Sequence, residues 1–189
     1  MKKIVLRFGL LSGVVSAGMM LATVPFMYQI GFDYGVVFGY TAIVLSFLFV
    51  YFGIRSYREA NGGVVTFGRG FSVGILITLI SCVFYVATWQ LVYFKLAPGF
   101  VDKMAAHTME KKRASGGSAQ EVEAVRQQME QFKVWYDKPL LNAAITFVEP
   151  FPVGFLVTLI SAAVLRRKPT GAGASATMAS AAGSARGSG

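Results

Sequence analysis

Residues 70–94 read GFSVGILITLISCVFYVATWQLVYF, 25 residues without a charge, bounded by Arg69 and Lys95. A helix needs about 20 predominantly apolar residues to cross some 30 Å of hydrocarbon, so this stretch is a membrane span. Working outward, Arg7 and Asp33 enclose another 25 uncharged residues, and Asp33 and Arg55 enclose 21. These runs predict helices at about 4–28, 36–54 and 70–94. A fourth, at 142–165, is long enough but carries Glu149, with Pro150 and Pro152 close behind. The chain is 54% apolar and 14% charged, with mean hydropathy +0.56, against roughly 45–50% and 25% for an ordinary soluble domain. That composition excludes a disordered chain. The single cysteine, Cys82, excludes an intrachain disulfide scaffold. The expected class is an all-α polytopic membrane protein, with one four-span domain over 1–168.

Met1-Lys2-Lys3 ahead of an apolar run has the outline of a signal peptide. The run is too long for one and no clear cleavage site follows, so an uncleaved first helix is expected. With four spans, the N-terminus, the second loop (55–69) and the tail share one side and carry ten basic residues against one acid. The opposite side carries eight against seven. The positive-inside rule then puts both termini in the cytoplasm. The net charge of +9 faces anionic lipid there. Nucleic acid is not an expected partner, because no aromatic–basic interleaving is present. Tyr28, Tyr34, Trp89, Tyr93 and Phe94 are expected near the outer interface, and Tyr51, Tyr57 and Phe67 near the inner one.

The third loop, 95–141, is the one sizeable polar region. Gly116-Gly117 divides it. Ser118-Ala119-Gln120-Glu121 then matches a capping box, and Val122, Val125, Met129, Phe132 and Tyr136 follow at helical spacing. An extracytoplasmic amphipathic helix, ended by Pro139 and resting on the bundle mouth or membrane surface, is expected. The second loop carries Asn61-Gly62-Gly63, a turn signal. Residues 169–189 are rich in Gly, Ala and Ser and are expected to form a flexible tail.

Small residues recur every fourth position: Gly9, Gly13 and Ala17; Gly31, Gly35 and Gly39; Gly70 and Gly74. Such spacing lets helix backbones approach closely in lipid, within one chain or between subunits. Residues 71–81 and 151–161 are identical at eight of eleven positions. Local convergence explains this more simply than an inverted repeat of the transporter kind.

His107 is the sole histidine. No Walker loop, nucleophile elbow or zinc-protease helix is present, so neither a metal nor a cofactor is expected. Glu149 is the exception to an otherwise inert interior. A charged residue at the centre of a span costs about 2.5–3.5 kcal/mol on insertion scales. Thr23, Tyr40, Thr41, Thr88 and Gln90 fall at a similar expected depth, two turns inside the outer end of the fourth span. They are expected to cluster with Glu149 as a buried polar or ligand site, with Lys95 reaching down as counter-ion. The site serves either as a structural hydrogen-bond hub or as a proton or ligand site.

Several stretches in combination resemble the bacterial domain-of-unknown-function family 4199. They are Arg55-Ser56-Tyr57-Arg58 with Asn61-Gly62-Gly63 and Thr66-Phe67-Gly68-Arg69-Gly70-Phe71, then Gly74 to Ser81, Trp89, and Ala97-Pro98-Gly99-Phe100. Glu149 before Pro152-Val153-Gly154, and Leu159-Ile160-Ser161-Ala162 with Arg166-Arg167-Lys168, complete the pattern. The resemblance covers residues 3–168. It implies a four-helix protein of the bacterial inner membrane and brings no assigned activity or functional residues. The leading expectation is a non-enzymatic structural or accessory subunit, partnered by lipid, its own copies or another membrane protein. The alternative is a small transporter or channel centred on Glu149. A reporter fused at Asn61 is predicted to be active in its cytoplasmic form, and one fused at Gly117 in its exported form. The reverse pattern would refute the four-span reading.

Overall fold

The structure is a computed structural model that describes residues 1–167, without the side chains of residues 25–30 and 32. The expected tail and the anchor Tyr28 lie outside the described residues. Helices α1 (Lys2–Ile30), α2 (Phe32–Ala60), α3 (Phe67–Leu91), α6 (Pro139–Val148) and α7 (Pro150–Leu165) form the bundle. Helices α4 (Phe100–Ala114) and α5 (Ala119–Tyr136) form a hairpin inserted between α3 and α6. Four segments are long and apolar enough to cross a membrane: Lys2–Val24, Asp33–Ala60, Phe67–Leu96 and Pro139–Leu165.

The helices overrun their expected ends. Gly31 alone joins α1 to α2, at a φ of 92° that a side chain would disfavour. Helix α2 runs on through Arg55 and Glu59, which pair at 2.9 Å, so the second loop shrinks to residues 61–66. Thr66 caps α3. Val65 and Arg167 form an antiparallel β-bridge, holding the second loop and the end of α7 on one face of the bundle, as four spans require. At the other end α3 finishes in a π-helical turn, Val92–Leu96, and Gly99, at φ 77°, starts the reversal into α4. The capping box forms in full, Ser118 receiving the Glu121 N–H and Glu121 the Ser118 N–H. Within the helical loop expected at 95–141, the first half forms a helix of its own, α4. Helix α5 ends at Tyr136, just ahead of Pro139, and Pro139 opens α6 at the first helical position, where its missing N–H costs nothing.

The surface is inverted relative to a soluble protein, and small polar residues join the apolar core. Ser12, Ser16, Ser46, Thr78, Ser81, Thr158 and Ser161 are buried, while Val14, Val37, Phe38, Phe52, Val83, Leu156 and Ile160 face outward. In water that surface would be an aggregation liability. In lipid it is the solvated face, and small polar residues supply the helix contacts. Ser12 on α1 donates to the Ser46 carbonyl on α2 at 2.7 Å.

Helix α3 packs antiparallel on α7 through the two matching segments. Thr78 and Thr158 meet hydroxyl to hydroxyl at 3.0 Å. A Cβ built on Gly74 would stand 2.7 Å from Thr158 Cγ2, and one on Gly154 would stand 2.5 Å from Thr78 Cγ2. Each segment thus offers its glycine to the other's threonine, the reciprocity of a two-fold contact. Helix α2 closes over the seam, Val50 and Ile54 against Gly74 and Phe47 against Gly154. Gly9 and Gly13 of α1 are similarly filled by Ile80 and Phe84 of α3. The series Gly31, Gly35 and Gly39 is a correction: Gly31 is a turn, and a Cβ on Gly39 would meet nothing within 4 Å.

Gly154→Val is predicted to destabilise the bundle by about 1–3 kcal/mol through overpacking. Gly18→Ala, where a Cβ meets nothing, should be neutral or stabilising by up to about 1 kcal/mol. Reversible unfolding in mixed micelles separates the two.

Candidate functional site

The fourth span breaks at Glu149. Pro150 and Pro152 lack the N–H groups that would bond the carbonyls of Thr146 and Val148, and the helix is interrupted there, α6 ending at Val148 and α7 starting at Pro150. Helix α7 packs on both α2 and α3, whereas α6 packs on α3 and α5 and barely touches α2. The bundle is therefore closed over its α7 half and split over its α6 half. The ten residues of α6 put Glu149 about 15 Å below the start of the span, nearly three turns rather than two.

The split holds a cavity of about 340 Å³. Ser16, Met20, Thr23 and Val24 of α1 form one wall, and Gly35, Val36, Gly39, Tyr40 and Ala42 of α2 another. Tyr85 and Trp89 of α3 face them, Phe100 and Met104 of α4 with Tyr136 of α5 make the roof, and Glu149 stands at the kink. Tyr40 is 47% and Val36 52% exposed, and Glu149 is exposed as well, so the cavity opens on the bundle flank between α2 and α6. Fully buried Ile43, Phe47 and Ile77 close the bundle beneath it.

Tyr85 donates its hydroxyl to Glu149 Oε2 at 3.0 Å. Among the described residues no Lys or Arg lies within ion-pair distance of Glu149. Lys95 does not supply a counter-ion; it follows Tyr85 by ten residues, about 15 Å along the helix, and its residue is exposed. Of the other expected site residues, Tyr40 and Thr23 share the cavity with Glu149. Thr41 is exposed and bonds its own helix at Val37, and Thr88 does the same at Phe84. Gln90 turns away, donating to the Pro139 carbonyl at 3.0 Å and to Asn142 Oδ1 at 3.1 Å.

Gln90 belongs to a second polar group that sequence depth alone conflated with the first. Asn142, fully buried, accepts from Gln90 and donates to the Tyr136 carbonyl at 3.1 Å. Trp89 Nε1 donates to the Tyr136 hydroxyl at 2.7 Å, and Tyr93 donates to Asp137 Oδ1 at 2.5 Å. This network binds the α5–α6 junction to α3 and fixes the roof. Burial pushes the Tyr136 hydroxyl above the ordinary tyrosine range, so it stays protonated at every physiological pH. Trp89 and Tyr93, expected as interface anchors, are instead covered by the insertion. Asp33, at the start of α2, holds Lys111 of α4 at 2.9 Å, and Lys133 of α5 holds Asp102 of α4 at 2.5 Å. Among the described residues no three His, Cys, Asp or Glu side chains converge as a metal site requires.

A family described as a protein of unknown function, DUF4199, matches residues 7–167. The chain belongs to this family. The DUF4199 match spans the closed seam, the insertion and every wall of the cavity. No curated protein and no solved structure matches the chain.

Asn142→Leu is predicted to cost about 1–3 kcal/mol, because the Gln90 amide loses its buried acceptor and the Tyr136 carbonyl its donor. Limited proteolysis at Gly116-Gly117 should quicken in that variant, as the α4–α5 hairpin loses its anchor on α3. Unchanged cleavage would show that the network does not hold the roof.

Proposed function

We propose that this DUF4199 protein is a non-enzymatic protein of the bacterial inner membrane, with both termini in the cytoplasm, that binds a small amphipathic molecule in the cavity beside Glu149. The carrying observation is the division of labour between the two polar groups. Asn142, Gln90, Tyr136 and Trp89 bond one another and tie helices together. Among the described residues Glu149 makes one hydrogen bond, to Tyr85, and it lines the cavity. The acid is thus not the hub that orders the bundle. Intramembrane acids mark ligand or ion sites by default, and the cavity falls within the usual range of small-molecule pockets, about 300–1,000 Å³. Its opening on the flank suits a molecule that arrives through the outer leaflet. The closed floor supports a one-sided binding site over a through-going channel. The cationic face around Arg55, Arg58, Arg69 and Arg166 is proposed to rest on anionic cytoplasmic lipid.

Trp89 lines the cavity and Trp135 is 61% exposed on the insertion, so Trp135→Phe leaves one tryptophan as reporter. Benzyltrimethylammonium, neopentylbenzene and phenylmethanesulfonate sample a cation, a neutral solute and an anion of similar size. At least one should change Trp89 emission saturably in lipid nanodiscs, and Gly39→Phe, which fills the cavity, should abolish the change. If none of the three responds above empty nanodiscs, the cavity is not a binding site.

A further inference from the structure

We infer that the ligand is a small organic cation, a substituted ammonium or similar group with an apolar body; this rests on the cavity being a binding site. Three features of the lining select that chemistry. Among the described lining side chains Glu149 is the one carboxylic acid and none is Lys, Arg or His, so the charge this lining can supply is negative. The wall facing α1 and α2, together with the roof, is aromatic. Tyr85 and Trp89 are one turn apart on α3, and Phe100 stands edge-on to Trp89 with ring centroids 5.0 Å apart. Tyr136 adds a fourth ring through its bond to the Trp89 indole, and Tyr40 flanks the opening. Aromatic faces attract a cation through the ring quadrupole, most strongly where water is excluded.

The Tyr85 hydroxyl is spent on Glu149, and the Trp89 indole N–H on Tyr136. The site therefore has few free donors for an anion, while a carboxylate oxygen of Glu149 is left to accept. Met20 and Met104 complete the lining; their unbranched chains adapt to apolar bodies of different shape. An anionic or neutral amphiphile would leave Glu149 uncompensated at membrane depth, which is the costly arrangement.

Benzyltrimethylammonium and neopentylbenzene share a shape and differ by one charge, so the unmodified cavity tests the inference without a mutation. With Trp89 as reporter, and after correction for partition into empty nanodiscs, the cation should bind at least about tenfold more tightly than its neutral isostere. Phenylmethanesulfonate should bind weakest. Glu149→Gln, with the thermal midpoint of the unliganded protein as its fold control, should erase most of the preference and leave neopentylbenzene binding unchanged. Equal binding of cation and isostere, or a preference for the sulfonate, overturns the cation and leaves the binding cavity standing. Silence with all three probes overturns both.

Discussion

The structure depends on the close approach of α3 and α7, where Gly74 and Gly154 admit the opposing threonines and Thr78 meets Thr158. In lipid no hydrophobic drive pulls helices together, and packing contact must do so. The glycines shorten the interaxial distance until α2 can seal the seam with Val50, Ile54 and Phe47. A single interhelical hydrogen bond of this kind is worth only about 0.6 kcal/mol on average, so the seam is held mainly by the area that glycine lets the helices share. The repeated segment has a physical account at this point. Two antiparallel helices meeting across a local two-fold axis need the same small residue and the same hydroxyl at matched positions, whether or not they share an origin.

That seam also dictates where the bundle opens. Helix α7 is pinned to α2 and α3, and beyond the break at Glu149 α6 keeps its packing on α3 but not on α2. The insertion then covers the split, with Phe100, Met104 and Tyr136 inserted over it. The exposed ion pairs that decorate the hairpin, Lys111 with Asp33 and Lys133 with Asp102, add little to its stability. The buried Asn142 and Trp89 bonds set its position, because breaking either strands a polar group away from water.

The four spans were legible because 25 uncharged residues in a row admit few other readings. The capping box was legible because it is local, needing only Ser118 and Glu121 at the right spacing. Glu149 stood out for its cost. What the sequence withheld was azimuth. Depth can be counted along a helix, but the side on which Gln90 or Thr41 lies depends on which neighbour sits where. Gln90 therefore joined the anchoring network, and Thr41 turned outward. The glycines show the same limit: Gly13 and Gly39 look alike in sequence, yet one touches Phe84 and the other faces a void. Trp89 read as an interface anchor until α4 and α5 were seen to cover it, and Tyr85, one turn before it, drew no reading at all.

An acid placed within a span costs about 2.5–3.5 kcal/mol at the centre, and one hydrogen bond to a charged acceptor returns about 1.5–3 kcal/mol. The Tyr85 bond thus roughly offsets the placement of Glu149 and leaves no surplus for stability. An apolar residue at this bend would hold the fold as well, since the two prolines make the break and the Asn142 network supports its far side. The carboxylate therefore needs a reason outside folding. Its one unbonded face turns to a cavity walled by aromatic rings, closed below by Phe47 and open to the bilayer at its side. Among the described residues that charge has no basic partner within ion-pair distance and a cavity lies beside it, which is why the proposed ligand is sought there.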